Sequence, residues 1–358
     1  MKTIYVLLLL LLCASSAVGR CGYVYVEPKE VVVSIEIPEV QELVFVIFAL
    51  TERGLNDSVM IDHTSSYYKE VIQHFSAFKN EEIVLSFGKI IDKHYNQLRM
   101  DACNYHFDEN NLLAKNEQFN NLSWGNRDYL KKHLKALQEF SVKSQFRDFF
   151  SRHRSYYDSL QQRLKEQVNI MDQHAWLEQN FPIHLERYRI FFSPLSYGMH
   201  ATNSSLNEVV VWVSGPLEIA DTSPVLIKAG ASRMVFTEID HNYVNPMSDL
   251  YTKEIRRAFR NRELWASGGF SSAYNSSYAI FNEYMTWAIF ILYAKDKYAH
   301  EDFLLIKKMV EDMMVEYRGF PKFRWFSDRL LELYTSKSHD IRVSDLFLPM
   351  MEASGVIR

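Results

Sequence analysis

V-F-T-E-I-D-H-N-Y-V-N-P, residues 235–246, is the stretch around which the fold of this chain is organised. Successive residues of an α-helix are about 100° apart, so Thr237 and His241, one turn apart, lie on the same face. Glu238 also lies close to His241, whereas Asp240 points away from that face. The spacing therefore predicts a helix that presents a carboxylate and an imidazole together.

The same stretch differs by one residue from H-E-x-x-H, a helix motif in which two histidines bind zinc and the glutamate activates a water molecule. Thr237 stands where the first histidine would be, while Glu238 and His241 are present. A catalytic zinc ion normally has three protein ligands and a water. The E-x-x-H that remains is a weak signature by itself, so further residues must decide what it does.

A second segment, A-I-F-N-E-Y-M-T-W-A-I-F-I-L-Y-A at residues 279–294, predicts a buried helix because it is apolar on nearly every face. An unpaired carboxylate in such a helix costs on the order of several kcal/mol. Glu283 is therefore expected at a rim, paired with an arginine or histidine, or bound to a metal. A glutamate on a later helix is also how one large class of zinc peptidases completes its metal site.

The composition gives enough apolar material for one large domain or two modest ones, since 47% of the 358 residues are hydrophobic. The net charge is −4, and no basic field points to nucleic acid as a partner. A Gly-rich phosphate loop and a G-x-S-x-G elbow are both missing from the sequence. These observations leave metal chemistry or ligand binding as the classes to weigh.

The first residues, 1–19, are typical of a secretory signal peptide. Lys2 supplies the positive end, residues 4–13 form a short apolar run, and Ala17 and Gly19 fit a cleavage site. The run is too short to span a bilayer, which takes roughly 20 apolar residues. The mature protein is therefore expected to begin near Arg20 and to be secreted, periplasmic or extracellular, with a lipid anchor at Cys21 as the less favoured alternative.

Two cysteines remain after such cleavage, Cys21 and Cys103. In an oxidising compartment they can form one disulfide bond, or they can stay as two unpaired thiols of which one is buried. Pairing cannot be decided from the sequence, so both alternatives stand.

The order of predicted elements indicates a mainly helical α+β fold. Short strands are predicted at 23–26 and 31–37, and paired strands at 187–192 and 208–213, which form a small antiparallel sheet next to the motif helix. The motif helix is expected from 224 to about 243, with Pro246 ending it. Residues 20–358 are expected to form a single domain with a helical N-terminal half, 38–180, and a C-terminal half, 181–358, that carries the sheet and the motif helix.

The chain resembles the domain-of-unknown-function 4932 family of secreted proteins, whose motif runs close to H-E-F-S-H-x-x-V-N-P. The match here is T-E-I-D-H-N-Y-V-N-P at residues 237–246. Further matching segments are P-E-V-Q-E-L-V from Pro38, L-K-A-L-Q-E-F from Leu134, F-R-D-F-F-S-R-H from Phe146 and R-Y-R-I-F-F-S-P-L from Arg187. The resemblance covers most of the mature chain and implies a gluzincin-like metallopeptidase. By position, it makes His241 a zinc ligand, Glu238 the general base and Glu283 the third ligand.

Three functional interpretations remain open because Thr237 departs from the motif. The first is a metal-dependent, metallopeptidase-like hydrolase with an altered zinc site, in which Glu238, His241 and Glu283, together with His200, hold the metal. The second is a non-catalytic binding protein, a pseudopeptidase, on the same scaffold. The third treats the resemblance as misleading and the E-x-x-H pair as structural. The expected partner in the first two is a peptide or protein, with no nucleic acid and no stable membrane span.

Other candidate residues have simpler expected roles. His200 lies in the loop between the paired strands and can approach the site, although a turn position is the more usual role for such a residue. Tyr243 and Tyr284 are near the candidate ligands and are expected to be core aromatics. Asn245 is expected to cap or turn the end of the motif helix.

Overall fold

The structure is a computed structural model that describes residues 31–116, 127–205, 207–216 and 223–357. The predicted signal peptide, Cys21 and the strand predicted at 23–26 lie outside the described residues. From Val31 onward the chain forms one compact unit.

The first part of the chain is helical because its apolar residues recur at helical spacing. Its helices are α1 (Glu39–Leu50), α2 (Glu52–Asn56), α3 (Ser66–Phe75), α4 (Glu82–Gly88), α5 (Ile91–Ala102), α6 (Leu134–Lys143), α7 (Phe146–Arg152), α8 (Arg154–Gln167) and α9 (Ile170–Asn180). Pro38 precedes α1, a position that suits proline because the first helical N–H groups have no partner within the helix. Every residue of α1 from Val40 to Leu50 is buried, so this helix forms the centre of the helical half.

A four-stranded sheet follows, with strand order β1-β4-β6-β5. Its strands are β1 (Val32–Glu36), β4 (Arg187–Ser193), β5 (Ala201–Ser205) and β6 (Glu208–Ser214), while β2 (Tyr105–Phe107) and β3 (Leu113–Lys115) form a separate hairpin. The predicted antiparallel pairing of the two main strands is wrong. The strands β4 and β6 run parallel, because the segment between them contains β5, which reverses the chain and pairs antiparallel to β6.

In the described part of the chain, seven α-helices follow the last strand, and the first of them, α10, is the motif helix. They are α10 (Pro224–Asp249), α11 (Thr252–Ala258), α12 (Arg262–Trp265), α13 (Ser277–Lys297), α14 (His300–Asp312), α15 (Phe323–Ser336) and α16 (Phe347–Gly355). A short π-helical turn, Met313–Tyr317, extends α14. In α13 every residue from Ile280 to Ala294 is buried, as its apolar sequence predicts.

The motif helix α10 continues six residues beyond its predicted end near Tyr243, through Pro246 to Asp249. Proline removes one backbone donor, but side chains of α13 hold the last turn in place. Tyr278 donates to the Asn245 carbonyl at 3.2 Å and to Asp249 at 2.8 Å, and Asn282 Nδ2 donates to Asn245 Oδ1 at 2.9 Å. The expectation that Pro246 stops the helix is therefore wrong, since tertiary packing overrides the local preference.

Both halves of the described chain contribute to one main hydrophobic cluster, which runs from α1 through the sheet to α10, α13 and α16. The mainly helical α+β class predicted from the sequence is confirmed. Among the described residues, no helix is both long enough and apolar enough to cross a bilayer.

Cys103 follows α5 and is buried against the sheet. Its thiol donates to Gln41 Oε1 at 2.8 Å, and Trp212 Nε1 donates to its sulfur at 3.4 Å. Burial raises the pKa of this thiol, so it is held as a neutral, unreactive group. Cys21 lies outside the described residues, so the disulfide alternative stays a prediction.

Candidate functional site

The helices α10 and α13 bring the predicted site residues together. His241 Nε2 lies 3.5 Å from Glu283 Oε1, and Glu238 lies less than one turn before His241 on the same helix. The side chain of Glu283 is 8% exposed and that of His241 is 18% exposed, so both are largely removed from solvent. The structure thus brings His241 and Glu283 together.

The other oxygen of Glu283 is bound by an arginine. Arg318 Nη2 donates to Glu283 Oε2 at 2.7 Å and to the Tyr274 hydroxyl at 2.8 Å. Burial opposes ionisation of Glu283, but the charge of Arg318 and the hydrogen bond to His241 outweigh it and hold the pKa of Glu283 below its ordinary value. Of the roles that the sequence left open for Glu283, pairing with an arginine is the one that the structure contains.

The hydroxyl of Thr237 is engaged within its own helix. Its side chain is buried, and its hydroxyl donates to the carbonyl of Arg233 one turn earlier at 3.0 Å. This bond satisfies the hydroxyl within its own helix. Thr237 therefore supplies no free ligand in place of the missing imidazole.

Two arginines stack on one indole at the site. The guanidinium carbon of Arg233 lies 4.3 Å from the ring centroid of Trp287, and that of Arg318 lies 4.5 Å from the same centroid. Trp287 follows Glu283 by one turn of α13, so its ring lies on the same side of that helix. Cation–π contacts of this kind stabilise a guanidinium group that is removed from water.

A third arginine, Arg99 of α5, approaches from the helical half. It is 1% exposed, and its Nη1 donates to the carbonyl of Met199 at 2.8 Å. Its charge acts on both Glu238 and His200, which places it within electrostatic reach of the site. We call Arg99, Arg233 and Arg318 the arginine cluster; sequence analysis missed all three.

His200 belongs to the site and not merely to a turn, in contrast to its expected role. Its Nε2 lies 3.1 Å from the Ser214 hydroxyl oxygen at the end of β6. Burial, followed by the charges of Arg233, Arg99 and Arg318, lowers the pKa of His200 to about 3. The imidazole is therefore neutral at ordinary pH.

The acidic residues of α10 respond to burial. Burial and the nearby charge of Glu283 raise the pKa of Glu238, while His241, Arg318 and Arg99 act in the opposite direction. Asp240 is fully buried on the other side of the helix, and burial raises its pKa well above the ordinary value. Its carboxyl oxygens have no hydrogen-bond partner among the described residues, so burial favours the protonated form of Asp240.

Tyr243 and Tyr284 are core residues, as expected. Both are fully buried; the Tyr243 hydroxyl bonds the Tyr188 hydroxyl at 2.6 Å, and the Tyr284 hydroxyl donates to the carbonyl of Trp265 at 2.8 Å. With both hydroxyls engaged away from His241, neither is placed to act on a ligand. Asn245 lies inside α10, where it bonds to α13 and does not cap the helix.

The position of Arg318 depends on a glycine contact. Ser271 N donates to the Arg318 carbonyl at 2.8 Å, and Ser267 N donates to the Gly319 carbonyl at 2.9 Å. Gly319 has a φ of +79°, and a Cβ on it would lie 2.2 Å from the Gly268 carbonyl oxygen. Only glycine fits this backbone conformation without displacing its neighbour.

Replacing Gly319 by alanine is expected to destabilise the protein by about 1–3 kcal/mol for the positive φ alone, with the clash adding to it. The neighbouring Arg318 should then lose its fixed position beside Glu283. Urea denaturation measures the change. Gly88→Ala at the end of α4 is the matched control, because a Cβ there meets no atom within 4 Å. Equal stability of the two variants would contradict the close contact at Gly319.

The arrangement of donors does not fit a three-ligand metal site. Within the part of the chain that the structure describes, no group of three or more His, Cys, Asp or Glu side chains is placed to hold a metal ion. The reason is visible at Glu283, where one oxygen is committed to Arg318. The neighbouring guanidinium charges would also repel a dication.

Comparison with protein-family models, with curated proteins and with solved structures gives no match for this chain. The resemblance to the domain-of-unknown-function 4932 family, and the gluzincin-like activity that it implies, therefore stay predictions.

Proposed function

We propose that this chain is a secreted, non-catalytic ligand-binding protein on a metallopeptidase-like scaffold, in which an arginine takes over the role of the metal. The observation that carries the proposal is the 2.7 Å bond from Arg318 Nη2 to Glu283 Oε2. A zinc ion would balance the charge of this carboxylate; here a guanidinium group does so. Secretion rests on the N-terminal sequence alone, and a protein that stays in the cell with residues 1–19 uncleaved would contradict it.

The ligand count supports the loss of the metal. His241 and Glu283 are two ligands, and a catalytic zinc normally takes three from the protein. Thr237, in the third position, uses its hydroxyl to bond its own helix at 3.0 Å. Without a bound metal to lower the pKa of a water molecule, Glu238 cannot deprotonate that water to produce a nucleophile.

A metal-dependent hydrolase is the second candidate. It is favoured by the 3.5 Å approach of His241 Nε2 to Glu283 Oε1, beside Glu238, which is the convergence that a zinc site requires. For this function Arg318 would have to release Glu283. The two candidates therefore differ in which cation neutralises that carboxylate.

Elemental analysis of the purified protein tests the proposal, with His241→Ala as the matched variant. We expect less than one-tenth equivalent of zinc in either protein after dialysis, and no hydrolysis of a mixed peptide library. One equivalent of zinc in the wild type, lost in His241→Ala together with peptide cleavage, would overturn the proposal and establish the hydrolase.

A restored ligand provides a second arm of the same test. Thr237→His alone should bind zinc weakly, because Arg318 still holds Glu283. Thr237→His combined with Arg318→Met frees Glu283 and should bind zinc at least tenfold more tightly. Thr335→His, on the exposed side of α15, corrects for adventitious binding to a surface histidine. Equal affinity of the single and double variants would show that Arg318 does not occupy the metal position.

A further inference from the structure

We propose that the arginine cluster binds an oxyanion, the carboxylate or phosphate group of the protein's ligand. The inference rests on the proposed binding function and names the chemistry of what is bound. The cluster draws on separate parts of the chain: Arg233 of α10 and Arg318 from the turn after α14 stack on the same ring of Trp287, and Arg99 of α5 acts with them on His200.

The side chain of Arg233 carries the argument. Arg233 is 8% exposed, and its buried Nε has no hydrogen-bond partner among the described residues; the guanidinium group stacks on Trp287. A buried guanidinium has five donors and normally meets a carboxylate or carbonyls. Leaving such a group without an acceptor is costly, which indicates that the acceptor is supplied by a ligand.

Unused donors recur across the cluster. Nε and Nη2 of Arg99 and Nε of Arg318 also have no hydrogen-bond partner among the described residues. An anion bound beside the cluster would compensate the charge of these groups even where it does not touch these nitrogens.

The cluster has more positive than negative charge. Among the described residues, Glu283 forms an ion pair with the cluster through Arg318, and the charge of Glu238 acts on all three guanidinium groups. Three guanidinium groups therefore face two carboxylates. An oxyanion supplies both the missing charge and the paired acceptors that match a guanidinium fork.

Several residues next to the arginine cluster are partly exposed. These are His200, Glu238, His241, Tyr274 and Arg318, whereas Arg99 and Arg233 are buried. A ligand can thus place its anionic group against the arginines while the remainder stays near the surface. His241 and Tyr274 then flank the bound group and can donate hydrogen bonds to it.

Isothermal titration of the full chain tests the proposal with three probes: a capped tripeptide with a free C-terminal carboxylate, the same tripeptide as its amide, and inorganic phosphate. We expect one site per chain. Binding of the free peptide but not the amide identifies a carboxylate, and binding of phosphate identifies a phosphate group. Arg233→Met should weaken the affinity for the anion at least tenfold. Arg324→Met, which removes an exposed arginine on α15, should bind as the wild type does.

The variant must also be shown to fold. Because Arg233→Met removes a buried cation that lacks an acceptor, the free variant should unfold at the same or a higher temperature than the wild type. The anion should raise the melting temperature of the wild type and leave that of Arg233→Met unchanged. An unchanged affinity in a folded Arg233→Met protein, or no binding of any of the three probes, would overturn the proposal.

The two proposals fail in different ways. A stoichiometric zinc ion that His241→Ala removes would refute the non-catalytic function, whatever the anion titration gives. A metal-free protein that binds none of the three probes would leave the non-catalytic function standing and refute the oxyanion site alone.

Discussion

Replacing Arg318 by alanine should destabilise the fold by about 3–5 kcal/mol, because it leaves the carboxylate of Glu283 buried without its strongest partner. The side chain of Glu283 is 8% exposed and that of Arg318 is 21% exposed, so solvent screens the pair only weakly. Removal of the guanidinium also takes away the stacking on Trp287. Urea denaturation at neutral pH measures the loss.

A double variant separates the ion pair from general packing. Arg318→Met combined with Glu283→Gln removes both charges and retains most of the volume, so it should recover at least half of the loss. Arg324→Ala is the surface control, since its pairs with Asp312 and Glu316 are exposed and worth less than about 1 kcal/mol. A double variant as unstable as Arg318→Ala would show that charge is not the cause.

Replacing Glu42 by glutamine should stabilise the protein at neutral pH. The free energy of unfolding of the variant, relative to that of the wild type, should be about 3 kcal/mol higher at neutral pH than at pH 4. Glu42 is fully buried in α1, and burial raises its pKa from 4.5 to about 7. Its Oε1 accepts a hydrogen bond from the Tyr67 hydroxyl at 2.8 Å, which a glutamine oxygen can also accept. The expected gain comes from removing a proton equilibrium and not from a new contact.

The sign follows from proton linkage. Between pH 4.5 and about 7 the folded protein keeps a proton on Glu42 that the unfolded chain has released, so stability falls as the pH rises. The fall is about 1.4 kcal/mol per pH unit and is complete once the pH exceeds the folded pKa. Urea denaturation at several pH values should show the Glu42→Gln curve diverging upward from the wild type over this window.

Gln41→Met is the neighbouring control for Glu42→Gln. Gln41 is also buried in α1 but does not ionise, so its replacement should shift stability by the same amount at every pH. Parallel curves for Glu42→Gln and the wild type would mean that Glu42 is already ionised in the folded protein.

Much of the fold could be predicted from the sequence because its signals are local. The apolar run at residues 279–294 predicted a buried helix, and the structure has it as Ser277–Lys297. The directions of the strands could not be predicted from the local sequence, because the reversal of the chain depends on where β5 pairs. The end of α10 was predicted wrongly for the same reason, because contacts from α13 hold the turn that contains Pro246.

The candidate site, too, could be predicted from the sequence only in part. Glu238, His241 and Glu283 were identified from spacing and from the expected cost of a buried carboxylate, and the structure brings His241 and Glu283 within 3.5 Å. A signal for Arg233 was present, because it lies one turn before Thr237 on the same apolar helix. Arg99 and Arg318 gave no such signal, since each lies on another element, far away in the sequence.

The sequence by itself determined the helical class, the motif helix and the need of Glu283 for a partner, because helix periodicity and the burial of a charge act over a few residues. The tertiary structure alone decided that this partner is Arg318, and that two further arginines stand beside it. Coulomb interactions depend on distance in space, so only the folded chain determines which charges meet.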